Sequence, residues 1–70
     1  MNKDKKIALG KNIQKIRKQK GLTQEQLAEK LGISLTYMGY FEIGHRVPNL
    51  RMLCKIADIL GVKVKDLIPF

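Results

Sequence analysis

Glycines at positions 21, 32, 44 and 61 each close a short segment whose apolar residues recur at helical spacing. Glycine there lets a chain leave a helix through the left-handed backbone region, so the chain is cut into five short helical segments. Hydrophobic residues make up 44% of the chain and aromatics only 6%. The core is therefore aliphatic, which suits several short helices better than a sandwich of strands. The expected fold is all-α: one domain over residues 1–70, with room for a small core and none for a second, ligand-sensing or catalytic domain.

In the first segment Leu9, Ile13 and Ile16 share one helix face, with Gly10 weakening the helix near its start and residues 1–6 expected to form a flexible basic arm. Leu22-Thr23-Gln24-Glu25-Gln26-Leu27 is a dense helix-start signal. Thr23 caps, Gln26 reaches back to complete a capping box, and Leu22 staples to Leu27. The second helix then begins at Gln24 and turns Leu27, Ala28 and Leu31 inward. Ser34 is the cap expected for a third helix that buries Met38 and Phe41, with Ile33 and Met38 as a second staple. Two helices joined by about three residues around a glycine make a helix-turn-helix unit. Past Pro48, Asn49 caps a fourth helix burying Leu53, Ile56, Ala57 and Leu60. A last turn carries Val64, Leu67 and Ile68 behind Lys63, a poor capping residue.

Fourteen basic residues against six acidic ones give a net charge of +8, the signature of a polyanion binder. The charge is uneven, with eight of the basic residues lying among the first twenty. No apolar stretch approaches the roughly 20 residues of a membrane span, and the basic start lacks the apolar core of a secretion signal, so a cytoplasmic protein without membrane contact is expected. Cys54 and His45 are single and have no neighbours at metal-ligand spacing. No metal or cofactor is expected; Cys54 reads as a buried structural thiol and His45 as a solvated loop residue. No nucleophile, base and orienting partner can be named together, and no glycine-rich phosphate loop is present, which argues against an enzyme.

Over Leu9 to Leu67 the chain resembles the Xre-like family, the phage repressor and Cro type of helix-turn-helix. The matching residues are Ile16-Arg17, Gly21-Leu22-Thr23-Gln24 with Leu27-Ala28, Leu31-Gly32-Ile33-Ser34, Phe41-Glu42, Gly44, Arg46, Pro48, Leu53, Ile56-Ala57 and Leu60. The resemblance implies a lambda-repressor-like DNA-binding domain whose third helix, within Ser34 to Ile43, lies in the major groove. With Met38 and Phe41 inward, Thr36, Tyr40 and Ile43 point most nearly away from the core, flanked by Leu35 and Gly39. By family analogy Ser34, Leu35, Thr36 and Tyr40 contact bases, unless Leu35 and Tyr40 pack on neighbouring helices instead.

The resemblance also assigns Gln24 to the DNA backbone and to bracing the reading helix, and pairs Arg17 with Glu42 to orient it. Lys11, Arg46 and Arg51 are candidate phosphate contacts, as is Asn49, which a structural cap explains equally well. None of the outward side chains can make a paired hydrogen bond to a purine edge. Thymine methyl groups, approached closely at Gly39, are the expected target. Isolated reading heads of this size seldom achieve specific affinity alone, so a homodimer on a pseudo-palindromic operator is expected, joined through Ile59, Ile68 and Phe70 together with Leu67, which is partly engaged in the core. The implied function is a dimeric transcriptional repressor; a restriction-modification controller, a phage repressor or an antitoxin with a toxin partner remain open.

Overall fold

The computed structural model describes residues 1–70 and is all-helical. Helix α1 spans Lys3–Gln19, α2 Gln24–Leu31, α3 Leu35–Ile43, α4 Leu50–Leu60 and α5 Val64–Leu67. Gly21, Gly32, Gly44 and Gly61 all take positive φ, between 70° and 79°.

The local start signals act as helix caps. Thr23 Oγ1 accepts from the Gln26 backbone N–H while the Thr23 N–H donates to Gln26 Oε1. Ser34 Oγ accepts from the Tyr37 N–H at 3.0 Å, and Asn49 Oδ1 from the Met52 N–H at 2.8 Å. Each bond satisfies a backbone donor that the first helical turn would leave unpaired.

The N-terminus departs from the sequence reading. Residues 3–6 form the first turn of α1 rather than a flexible arm, because Asn2 Oδ1 accepts from the Lys5 N–H and Asp4 stands in the first turn. Negative charge there is favoured by the exposed N–H groups of the helix end. Gly10 also reads differently in three dimensions. It is buried mid-helix, and a Cβ on it would overlap the carbonyl oxygens of Phe41 and Glu42. Its missing side chain is what allows α1 and α3 to approach so closely.

The core comprises Leu9, Ile13 and Ile16 of α1, Leu27, Ala28 and Leu31 of α2, Met38 and Phe41 of α3, Ile56, Ala57 and Leu60 of α4, and Leu67 of α5. Leu53, expected among them, is half-buried at its edge, and Cys54 is exposed rather than buried. At about 100° per residue Cys54 lies roughly 110° from the centre of the stripe formed by Ile56, Ala57 and Leu60, which turns it outward. Helix α5 stops at Leu67, with Ile68 already extended. Two contacts compensate for its weak cap: Asp66 Oδ2 accepts from the Lys63 N–H, and Asn12 Nδ2 donates to the carbonyls of Asp66 and Leu67. The C-terminus is thereby tied to α1.

Candidate nucleic-acid interface

Helix α3 packs chiefly on α1 and α2, which hold its Met38–Phe41 side and leave the opposite side bare. Its outward residues are apolar for a surface helix: Leu35 is 50% and Ile43 66% exposed, and Tyr37 and Tyr40 are also exposed. An apolar face on the surface of a small domain marks a place of contact with another molecule. Ser34 and Thr36 complete the exposed N-terminal end of this face.

Behind α3 stands a buried ion pair, extended by the half-buried Gln24. Arg17 Nε–H donates to Glu42 Oε2 at 2.6 Å and its Nη2–H to Oε1 at 3.1 Å, a two-pronged ion pair with both side chains nearly free of solvent. The guanidinium also donates through Nη1 to the Leu22 carbonyl at 2.7 Å. Gln24 Nε2 reaches Glu42 Oε1 at 3.0 Å. No buried side-chain polar atom is left without a partner. The arrangement joins α1, the first turn of α2 and the last turn of α3, so tilting α3 would break charge-assisted bonds in a dry environment.

The remaining site residues are scattered over several elements. Lys11, Arg46 and Arg51 are exposed, on α1, the α3–α4 turn and α4 respectively. Asn49 is exposed and its side chain is engaged as the α4 cap. The Tyr40 carbonyl accepts from the N–H groups of both His45 and Arg46, at 2.9 and 3.2 Å, which fixes the turn bearing Arg46 to α3. His45 is not simply solvated: its ring lies 4.7 Å from that of Tyr40, tilted by 56°. Sequence reasoning missed this contact, and also that of Tyr37, whose ring packs 4.7 Å from Phe41. Tyr37 and Phe41 stand four apart on α3, and that spacing was the available signal; His45 lies beyond the end of α3, where helical spacing gives none.

Of the four residues expected at a dimer contact, Leu67 is fully buried in the core of the chain and offers nothing to a second copy. Ile59 and Ile68 are half-buried, and Phe70 is 53% exposed with Lys5 Nζ 5.3 Å above its ring.

A five-helix domain of charge +8 that presents the second helix of a tight helix-glycine-helix unit has the architecture of a helix-turn-helix DNA-binding domain. Residues 13–67 match the helix-turn-helix family model, and the chain belongs to that family of transcriptional regulators. It is 40% identical over 60 residues to the HTH-type transcriptional regulator YazB of Bacillus subtilis, covering 86% of this chain and 87% of YazB. It is 37% identical to the immunity repressor protein of Bacillus phage phi105, covering 89% of this chain but only 43% of the repressor. Among solved structures, the restriction-modification controller protein C.AhdI from Aeromonas hydrophila superposes with a TM-score of 0.82 at 33% identity, over 87% of this chain and 92% of that one. No helix is long and apolar enough to cross a membrane.

Proposed function

We propose that the protein is a sequence-specific, homodimeric repressor that reads the major groove with residues 34–43 and works in the cytoplasm by binding rather than by catalysis. The observation that carries this reading is the pairing of a bare apolar face on α3 with a buried Arg17–Glu42 ion pair, joined by the half-buried Gln24, that locks its back. Ser34, Leu35, Thr36 and Tyr40 meet base edges, while Gln24, Lys11, Arg46, Asn49 and Arg51 hold phosphates, positioning the helix without specifying sequence. Ile59, Ile68 and Phe70 supply the contact between protomers. Likeness to a phage immunity repressor supports repression. Likeness to C.AhdI supports a second reading, a controller of a restriction-modification system; a methyltransferase or endonuclease gene beside its own would select it.

Selection from random duplexes followed by footprinting tests the proposal. Two inverted half-sites roughly 34 Å apart on one face of the duplex are expected, with a dimer by sedimentation. A protein that stays monomeric at tens of micromolar and on its selected site would refute the dimer, and failure to enrich any motif would refute specific reading.

A further inference from the structure

Helix α3 packs chiefly on α1 and α2, and α5 on α4 and α1, which makes α1 the element that joins the reading helix to the C-terminal segment. One turn of α1 does so. On one flank Gly10 lies against the Phe41 and Glu42 carbonyls of α3. Two residues on, and so roughly 200° around the helix, the Asn12 side-chain amide donates to the carbonyls of Asp66 and Leu67, at 2.9 and 2.8 Å. Leu9 and Ile13, both buried, fix that turn in the core. The path from the reading helix to the end of α5 thus crosses packed helix and no loop.

The hold on the C-terminal segment is of two kinds. Leu67 is fully buried, with Val64 and Ile68 packed beside it, but apolar burial is non-directional and tolerates small rotations of a four-residue helix. Hydrogen bonds are directional. The two from Asn12 reach the last carbonyls of α5, which a helix end leaves unpaired, and so set the direction in which residues 68–70 leave the domain. Beyond them Ile68 is extended, and the next restraint is Lys5 Nζ, 5.3 Å from the centre of the Phe70 ring. Lys5 and Asn12 stand seven apart, on one face of α1.

We propose that Asn12 is a positioning residue for operator spacing: by fixing residues 66–70 to the turn of α1 that bears on α3, it sets the distance and angle between the two reading helices of a dimer. This rests on the reading of a dimer joined through Ile59, Ile68 and Phe70. In a body of 28 × 24 × 21 Å, a tilt of about 10° at one edge moves the opposite edge by roughly 4 Å, about the rise of one base pair. Small rotations of the C-terminal segment are therefore read out as spacing.

The test measures affinity for single half-sites and for full operators whose half-sites stand at the selected spacing or one or two base pairs nearer or farther. The parent should prefer the selected spacing. In Asn12→Ala that preference should shrink on the order of tenfold, from the loss of two hydrogen bonds, while half-site affinity stays as in the parent and shows that the reading head is folded. Lys5→Ala, a surface change, should shrink the preference in the same sense, and Lys5→Arg, which keeps a cation over the ring, should not. An Asn12→Ala protein with the parent's spacing profile would overturn the proposal. So would one whose half-site affinity falls as far as its operator affinity, the mark of a role in folding alone. A parent that is monomeric on its operator would remove the dimer reading itself, a result distinct from either.

Discussion

Arg17 and Glu42 leave water together, and their geometry explains how a domain this small tolerates it: every donor or acceptor of the pair that is buried finds a partner. Desolvation roughly offsets the attraction in such pairs, so their presence says little about net stability, whereas removing one member strands the other. Arg17→Ala or Glu42→Ala should therefore cost about 3–5 kcal/mol in urea unfolding. Replacing both by apolar residues of similar size should recover much of that loss while relaxing discrimination between operator and unrelated DNA. Recovery of stability with full discrimination would show that the pair does not orient α3. This pair was legible only through family resemblance, since nothing local joins positions 25 residues apart. The role of Gly10 is hidden for the same reason: a glycine in a helical run looks like a weakness until the carbonyls of Phe41 and Glu42 are found against it.

At the scale of elements, what could be read in advance was whatever is encoded within four residues: the capping box at Thr23, the caps Ser34 and Asn49, and the inward stripes of α1, α2 and α3. The start of α1 carried the same kind of signal in Asn2 and Asp4, masked by the lysine run around them. Helix α5 shows the opposite case, a weak local signal made good by Asn12, which lies 54 and 55 residues from the carbonyls it bonds. Asn49 is both the α4 cap and a proposed phosphate contact, and two substitutions separate the roles. Asn49→Ala should destabilise the domain by about 1 kcal/mol through loss of the cap. Asn49→Asp keeps an accepting oxygen and suits the helix end, so thermal stability should hold while DNA affinity falls through repulsion from the nearby phosphate. Unchanged affinity in the aspartate variant would leave Asn49 a cap alone.

For the whole molecule the deciding quantity is charge. The chain measures 28 × 24 × 21 Å, about three Debye lengths across at physiological salt, so charges on opposite sides are screened from one another and each basic group acts on the stretch of duplex nearest to it. Because α3 contributes no exposed cation, the proposed function places specificity and electrostatic attraction in different parts of the surface. In the proposed complex, apolar reading by α3 should be nearly indifferent to salt, whereas phosphate contacts from Lys11, Arg46 and Arg51 would release counterions. The logarithm of affinity should thus fall linearly with the logarithm of salt concentration, and removing any one of these three cations should lower the slope by about 0.9 for each phosphate it had neutralised. Arg46→Ala should weaken operator and unrelated duplex alike. Leu35→Ala and Tyr40→Ala should instead reduce operator affinity with the slope unchanged. A slope that drops with Leu35→Ala, or a loss in Arg46→Ala confined to one base pair, would mean that reading and attraction share the same residues, with Arg46 itself entering the groove from its turn beside Tyr40.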